Sequence, residues 1–279
     1  MPGLSSNPTL LIVVPTLDSH ALLHRLVASL QAQTWPHWRL LFVDGPSGPA
    51  HRAALQTISA SEPRCRWIPQ DPADPGIFGA MNQGFGAATP SDWLLFWGSD
   101  DWAASPTVLA EAMGALQPVD LLVCSGRYVD PDTGRLGRSS RAASSASLLG
   151  ARAYRRALLL GSTPPHQATL IGPGARAQLA RYAAGFRLSA DLDYFLQLSL
   201  CPDLRVQITP LELVHMAPGG VSGQQTRRRL QEVHRAYRRA FGWAWWLPFA
   251  MRYLRRLGSL LLGQPSLPKL DTAPIQAQA

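Results

Sequence analysis

The stretch Asp92-Trp-Leu-Leu-Phe-Trp-Gly-Ser-Asp-Asp-Trp102 joins an apolar run directly to two adjacent carboxylates. Residues 93–97 form a short continuous apolar run, which is typical of a strand buried in a parallel sheet. Asp100 and Asp101 follow the carboxyl end of that strand, where open α/β sheets bind their ligands. Two neighbouring acids without a basic residue beside them repel each other, and a divalent cation would relieve that repulsion. The stretch therefore predicts a cation-assisted ligand site.

Helix capping is a simpler explanation for the same acids. Ser99 or Asp100 could accept backbone N–H groups of a helix that begins near Pro106. A cap needs only one such side chain, so the presence of a pair favours the cation site. Ligands that are all oxygen suit Mg²⁺ or Mn²⁺ carrying substrate phosphates better than they suit zinc.

Charge and cysteine content restrict the class of protein. The 279 residues carry a formal net charge of +8, and the basic residues are almost all arginine. No aromatic-basic interleaving or helix-turn-helix pattern accompanies this charge, so we expect no nucleic-acid partner. The three cysteines are far apart and predict neither a disulfide framework nor a zinc site, as is typical of a reducing cytoplasm. No pattern typical of a signal peptide is visible at the N-terminus.

Apolar runs and amphipathic stretches alternate as far as Leu116. Residues 10–15, 39–43, 65–69 and 93–97 predict strands, whereas the leucine spacing from Leu22 to Leu30 predicts a helix. The other helices of this half are expected over residues 50–58 and 77–88. Because strand and helix alternate, we expect right-handed βαβ units and a mostly parallel central sheet in an α/β fold.

The alternation is less regular after Leu116. The strands expected there cover residues 120–129 and 206–215, and the helices cover residues 174–184, 190–200 and 224–241. Residues 132–147 are rich in Gly, Ser and Arg and predict a flexible loop. Residues 264–279 are rich in Pro, Gln and Ala and predict a disordered tail.

Several short motifs follow one another in a specific order. In the first half they are Val13-Val14-Pro15-Thr16, Gln33-Thr34-Trp35, residues 41–45, residues 74–84 and Ser99-Asp100-Asp101. In the second half they are Pro165-His166-Gln167, Gly185-Phe186, residues 190–193 and residues 219–222. Each motif alone is common, but their order and spacing resemble the family 2 glycosyltransferases. These enzymes have the GT-A fold of nucleotide-diphospho-sugar transferases.

The resemblance implies transfer of a sugar from a nucleotide-diphosphate donor, expected to be UDP-linked, to a hydroxyl of a glycan or lipid-linked saccharide. It implies that Asp101, together with Asp100, ligates Mn²⁺ or Mg²⁺, and that His166 and Gln167 face the acceptor. The donor-binding residues that it implies are Pro15, Thr16, Asp44, Asp74, Gly76, Met81, Asn82 and Asp100.

Several of these residues also have ordinary structural explanations. Asp44 precedes Gly45 as in a common turn. Asn82 could face solvent from the middle of a helix, and a nearby glycine such as Gly84 could allow close helix packing instead of close approach of a ligand. His166 could be a packed histidine with no role in binding.

The mechanism implied by the resemblance needs one general base. In an inverting transferase, a carboxylate takes the proton of the acceptor hydroxyl as that oxygen attacks the anomeric carbon. The resemblance assigns this role to Asp191, with Asp193 as the alternative. The structural alternative is that Ser189 or Asp191 caps a helix, with Asp193 in its first turn.

The chain departs from the family pattern at two places. Gly48 and Pro49 stand where an acid usually follows D-G-x-S, and Gly79 stands where an Asp is usual. The first departure puts nucleobase recognition in question, and the second affects sugar selectivity or activity. A non-catalytic nucleotide-binding relic of the same fold is therefore one alternative function. The retention of the acids argues against it.

We expect a catalytic domain over residues 1–242, with a nucleotide-sugar half at about 8–117 and an acceptor half at about 118–242. Residues 243–263 form a basic helical C-terminal extension that combines tryptophans, leucines and arginines, which is typical of a helix lying in a membrane interface. In the alternative, the apolar stripe packs on the domain. A basic membrane-surface binding protein is the other rival function. The expected location is the cytoplasm, at the inner face of the membrane if the extension binds lipid.

Overall fold

The computed structural model describes residues 8–140, 145–218 and 226–261, and the side chains of the last helix as far as Leu254. Within these residues the chain forms one ten-stranded sheet with nine α-helices. The strands are β1 (Leu10–Thr16), β2 (Trp38–Asp44), β3 (Cys65–Pro69), β4 (Trp93–Phe96), β5 (Asp101–Ala103), β6 (Leu121–Val129), β7 (Leu136–Ser140), β8 (Ser147–Gly150), β9 (Thr169–Ile171) and β10 (Arg205–Met216). The helices are α1 (His20–Gln31), α2 (Pro49–Ser61), α3 (Ile77–Ala87), α4 (Val108–Gly114), α5 (Ala151–Leu159), α6 (Pro173–Gln178), α7 (Ala190–Leu198), α8 (Thr226–Phe241) and α9 (Trp246–Leu261).

The first four strands form the parallel region that the alternation predicts. β1 lies between β2 and β4, and β3 extends the sheet beyond β2. In this register Thr16 pairs with Asp44 and Val13 pairs with Phe96. The carboxyl ends of three strands therefore meet at one edge of the sheet, which brings the segments after Thr16, Asp44 and Phe96 together.

The rest of the sheet is mixed, so the expectation of a mostly parallel sheet is wrong there. The strand order is β3-β2-β1-β4-β9-β6-β10-β5, in which β9 is antiparallel to β4 and β6, and β5 is antiparallel to β10. Apolar periodicity identifies a strand but carries no information on its direction. The three-residue strands β5 and β9 are also too short to show a periodic pattern.

The expected flexible loop at residues 132–147 is also partly wrong. Leu136–Ser140 forms β7, which pairs with β6, and β8 begins at Ser147 and pairs with β10. The backbone hydrogen bonds that β6 and β10 supply to β7 and β8 cannot be read from a polar sequence. The helix expected over residues 174–184 ends at Gln178, because Leu179 is extended at φ −146° and the chain turns to bury Tyr182.

Two apolar cores lie on opposite faces of the sheet. Along β1, Leu11 and Val13 face the core formed with α3, α5, α7 and α8. The alternate residues of β1 face the second core, formed with α1, α2 and α4. The sheet is therefore covered on both faces, which leaves its edges and the loops at its carboxyl ends for binding.

The C-terminal extension packs partly on the domain. Trp245 and Phe249 lie against the first core, and Arg252 Nη1 donates to Thr163 Oγ1 at 3.2 Å. The opposite side remains open, since Trp243 is 85% exposed and Leu254 is 59% exposed. No helix in the described part of the chain is long and apolar enough to cross a membrane. The predicted tail at residues 264–279 lies outside the described residues.

Candidate active site

Asp100 lies in the turn between β4 and β5, and Asp101 is the first residue of β5, close to where the parallel strands end. Asp101 is buried, and its Oδ2 accepts the backbone N–H of Gly98 at 2.6 Å. Ser99 Oγ donates to the carbonyl of Pro15 at 3.3 Å, which fixes the turn against the end of β1. The helix-cap alternative is wrong for these acids, because the next helix begins at Val108.

The two carboxylates meet the electrostatic requirement of a cation site. Burial, and then the neighbouring charge of Asp100, raises the pKa of Asp101 well above its usual range. Burial also raises the pKa of Asp100. No basic side chain in the described ranges forms an ion pair with either carboxylate. A divalent cation would supply the charge that this pair lacks.

Gly98 leaves the space in which the two carboxylates converge. A Cβ at residue 98 would lie 2.6 Å from Asp100 Oδ1 and 3.3 Å from Asp101 Oδ2. The described residues contain no group of three or more acids, histidines or cysteines that could hold a metal. Two carboxylates with further oxygen ligands from phosphate and water form the kind of site that Mg²⁺ and Mn²⁺ use. The residues present therefore fit such a cation.

A second polar group connects the ends of β1 and β2. Asp44 is buried, and its Oδ1 accepts bonds from Thr16 Oγ1 at 3.1 Å and Ser47 Oγ at 2.6 Å. Nε2 of the buried His51 lies 3.1 Å from the same oxygen without hydrogen-bond geometry. Ser47 is the serine of the D-G-x-S pattern, but the sequence gives no sign of its bond to Asp44, and a single histidine such as His51 carries no pattern. The structure brings Thr16 and Asp44 together as predicted.

The segment around Asp74 packs on helix α3. Asn82 Nδ2 donates to Asp74 Oδ2 at 3.1 Å, and Asn82 Oδ1 accepts the backbone N–H of Tyr182 at 2.8 Å. Asn82 thus joins the two halves of the domain and does not simply face solvent. A Cβ at Gly79 would lie 1.8 Å from the Asp74 carbonyl oxygen, so any side chain there would displace this segment. Gly79, which stands where the family pattern usually has Asp, is therefore explained by the close packing of the Asp74 segment on α3.

Other glycine and apolar positions of this region have packing roles. Met81 is only 5% exposed and belongs to the first core. A Cβ at Gly84 would lie 2.6 Å from Val13 Cγ1, so Gly84 allows α3 to approach β1 closely. Gly76 has φ +89°, a conformation that favours glycine, at the residue before α3.

Asp191 and Asp193 occupy the first turn of α7 but differ in surroundings. Asp193 is 1% exposed, and its Oδ2 lies 2.5 Å from Nη1 of Arg239 on α8. Asp191 is partly exposed, and no basic side chain in the described ranges forms an ion pair with its carboxylate. Ser189 precedes the helix but makes no capping bond with its side chain. The motif at residues 219–222, which is part of the family resemblance, lies outside the described residues.

A buried glutamate of α8 holds the segment that leads into α7. Glu232 is 6% exposed, and it accepts the backbone N–H groups of Arg187 at 3.0 Å, Leu188 at 2.8 Å and Ser189 at 3.0 Å. The role of Glu232 cannot be read from the sequence, because the residue lies in an arginine-rich helix with no sign of its partners. A residue of α8 therefore holds the segment that leads to Asp191.

His166 lies between β4 and α7, in an aromatic cluster with Phe96, Tyr182 and Phe195. Its ring stacks on Phe96 at 5.6 Å between centroids, and its Nε2 lies 2.7 Å from Tyr182 Oη. Burial lowers the pKa of His166, and the charge of Asp191 partly opposes this shift. The backbone carbonyl of Gln167 accepts the Trp97 indole N–H at 2.9 Å. These contacts set the Pro165-His166-Gln167 segment beside β4.

The chain is similar in sequence to known glycosyltransferases. The sequence model of the family described as "Glycosyl transferase family 2" matches residues 11–174. An uncharacterized glycosyltransferase of Mycobacterium tuberculosis is 29% identical over 248 residues, which cover 84% of this chain and 87% of that protein.

Solved structures share the fold. S. aureus TarS in complex with UDP-GlcNAc superposes with a TM-score of 0.63 at 15% identity over 84% of this chain and 67% of that chain. The mannosyltransferase PcManGT from Pyrobaculum calidifontis, in complex with GDP-Man and Mn²⁺, gives 0.60 at 14% identity over 94% of this chain and 82% of that chain. The expected GT-A fold is confirmed, and since the family match covers more than half of the sequence, the chain belongs to glycosyl transferase family 2 and is a glycosyltransferase.

Proposed function

We propose that the protein is a metal-dependent inverting glycosyltransferase that uses a nucleotide-diphosphate sugar, UDP-linked, and a hydroxyl of a glycan or lipid-linked saccharide. The observation that carries the proposal is the acid pair Asp100–Asp101, which has no basic partner among the described residues, together with the partly exposed Asp191 at the start of α7. TarS and PcManGT support the donor class, since those two proteins were solved with UDP-GlcNAc and with GDP-Man and Mn²⁺.

Each acid has a chemical role in this proposal. Asp101 and Asp100 would hold a divalent cation, which supplies Lewis-acid stabilisation of the leaving diphosphate. Asp191 takes the proton from the acceptor hydroxyl as the new C–O bond forms at the anomeric carbon and the bond to the diphosphate breaks on the opposite face. Asp193 is already paired with Arg239, so its carboxylate is not available as the base. We therefore retain Asp191 for this role.

A panel of nucleotide sugars, read by the release of nucleoside diphosphate in Mn²⁺ buffer, tests the proposed function. We expect turnover with at least one UDP-sugar and loss of turnover in Asp101→Ala. Asp203→Asn, which removes one exposed charge far from this edge, is the control and should keep wild-type turnover. Binding of nucleotides without any donor turnover or hydrolysis would instead support the non-catalytic relic.

A peripheral membrane contact is a second proposal, favoured by the exposed side of the C-terminal extension. Trp243 is 85% exposed, Trp246 is 54% exposed and Leu254 is 59% exposed, next to an arginine-rich helix. Exposed tryptophan and leucine beside basic residues suit the interface of an anionic bilayer. Contact with the inner face of the cytoplasmic membrane would place the enzyme beside a lipid-linked acceptor.

Vesicle flotation tests whether the C-terminal extension binds membranes or only packs on the domain. The double variant Trp243→Ser/Trp246→Ser should reduce flotation with anionic vesicles and leave transfer to a soluble acceptor intact. Phe249→Ser, which changes a residue packed on the core, is the contrasting variant and should lower stability. Equal flotation of the double variant and the wild type would reject the membrane contact. Deletion after Gly242 is less informative, because it also removes Trp245 and Phe249 from the core.

A further inference from the structure

The loop that follows β1 presents an exposed carboxylate in a constrained conformation. Asp18 has φ +47° and is the one non-glycine residue with positive φ in the described ranges. Its Oδ1 accepts the backbone N–H of Gly48 at 2.8 Å, and its own backbone N–H donates to Ser47 Oγ at 3.0 Å. The loop after β1 is thus bonded at two points to the loop after β2.

These bonds continue into the buried polar group of the donor half. Ser47 Oγ donates to Asp44 Oδ1 at 2.6 Å, and Thr16 Oγ1 donates to the same oxygen. Asp44 is 2% exposed, whereas Asp18 is an exposed residue at the same edge. Asp18 therefore offers a carboxylate to a ligand, while the Asp44 carboxylate is largely enclosed and organises the two loops.

The Asp18 carboxylate lies beside Gly48, a position that has no side chain. Gly48 stands at the position where the family pattern has an acid, and a Cβ there would lie 3.5 Å from Asp18 Oδ1. The neighbouring Leu17 is 59% exposed, and its Cδ1 lies 3.2 Å from where a Cβ on Gly45 would stand. An apolar side chain and a carboxylate side by side match the face and the polar edge of a nucleobase.

We propose that Asp18 recognises the nucleobase of the donor by accepting a hydrogen bond from its ring N–H. Uracil at N3 and guanine at N1 carry such a hydrogen, whereas cytosine and adenine have an unprotonated acceptor nitrogen there. Oδ1 keeps its bond from Gly48, and Oδ2 accepts from the base. The inference rests on the proposed function, and it assigns base selection to a residue of the first loop in place of the missing acid.

Nucleotide binding measured by calorimetry in Mn²⁺ buffer, with UDP, CDP, GDP and ADP as probes, tests the inference. The wild type should bind UDP more tightly than CDP, and GDP more tightly than ADP. In Asp18→Asn the amide oxygen keeps the Gly48 bond and the amide NH₂ faces the base, where it opposes uracil N3–H and matches cytosine N3. The UDP-to-CDP affinity ratio should fall roughly 10- to 100-fold, as expected for loss of a hydrogen bond to a charged group.

Asn also tolerates positive φ, so the loop should keep its conformation in this variant. The double variant Asp18→Asn/Gly48→Asp should regain preference for UDP, because residue 48 has an ordinary φ of −72° and room for a side chain. Asp203→Asn is the charge-matched control and should keep the wild-type ratios.

The outcomes separate this inference from the proposed function. If the wild type binds none of the four nucleotides, the donor function itself is rejected. If the wild type binds UDP and Asp18→Asn leaves the UDP-to-CDP ratio unchanged, the assignment of Asp18 is rejected and the donor function stands. A wild type that binds UDP and CDP equally also rejects the assignment of Asp18.

Discussion

Glu232 Oε2 accepts the backbone N–H of Ser189 at 3.0 Å, which ties helix α8 to the segment that enters α7. The same carboxylate accepts the N–H groups of Leu188 and Arg187, so three consecutive backbone donors have one buried partner. Asp191 follows two residues after Ser189. The position of the proposed base therefore depends on a residue of the arginine-rich helix.

Glu232→Ala should lower both stability and turnover. Three buried N–H groups would lose their partner, and we expect a loss of about 3 kcal/mol in the free energy of unfolding, measured by urea denaturation. Glu232→Gln keeps an acceptor oxygen and should restore much of kcat with little change in the donor KM. Arg228→Ala is the control, because it removes only the part-exposed ion pair to Glu232. Full kcat in a folded Glu232→Ala enzyme would show that Asp191 needs no such support.

Asp191→Asn should lower turnover, whereas Asp193→Asn should lower stability. Loss of a general base lowers kcat by about 10²- to 10⁴-fold, so Asp191→Asn should lose that factor and keep its stability and donor affinity. Asp193→Asn breaks the contact with Arg239 and should lower the free energy of unfolding by about 1–2 kcal/mol, an amount limited by the exposure of Arg239. An inactive, stable Asp193→Asn beside an active Asp191→Asn would reverse the assignment.

Chelation should abolish turnover, and either Mn²⁺ or Mg²⁺ should restore it. Gly98→Ala should raise the cation concentration needed for half-maximal activity at least tenfold, because its Cβ would lie 2.6 Å from Asp100 Oδ1. Gly86→Ala is the matched control, since no atom lies within 4 Å of its Cβ position and alanine favours the helix. Undiminished turnover in excess chelator would exclude the proposed cation.

Acidification should destabilise the protein through His166. Burial lowers the pKa of this histidine below its ordinary value of 6.5, against the opposing charge of Asp191, while its other polar neighbour is the Tyr182 hydroxyl. The unfolded chain therefore binds the proton more readily, so the contribution to stability is complete above pH 6.5 and declines as the pH falls toward the lowered pKa. Tm measured from pH 7.5 to 5 should fall less in His166→Gln than in the wild type. An identical slope in both proteins would count against this role.

Much of the donor half could be predicted from the sequence. The apolar runs that became β1, β2 and β4 are continuous and lead to Thr16, Asp44 and the acid pair, and parallel strands must bring those ends to one edge. A strand that is buried on both faces needs apolar side chains at successive positions, so such a strand is visible in the sequence as a continuous apolar run. The positions of these strands, and the meeting of the segments that follow them, can therefore be predicted from local composition.

Only the tertiary structure decided the roles that depend on contacts between distant segments. The direction of β9, the pairing of Asp193 with Arg239 and the bonds of Glu232 to residues 187–189 join positions that no local period connects. The distinction between the enclosed Asp44 and the exposed Asp18 has the same origin, because burial is set by which loops meet after folding. Residue type reveals what chemistry a side chain can perform, whereas its partners and its exposure decide whether that chemistry is available to a ligand.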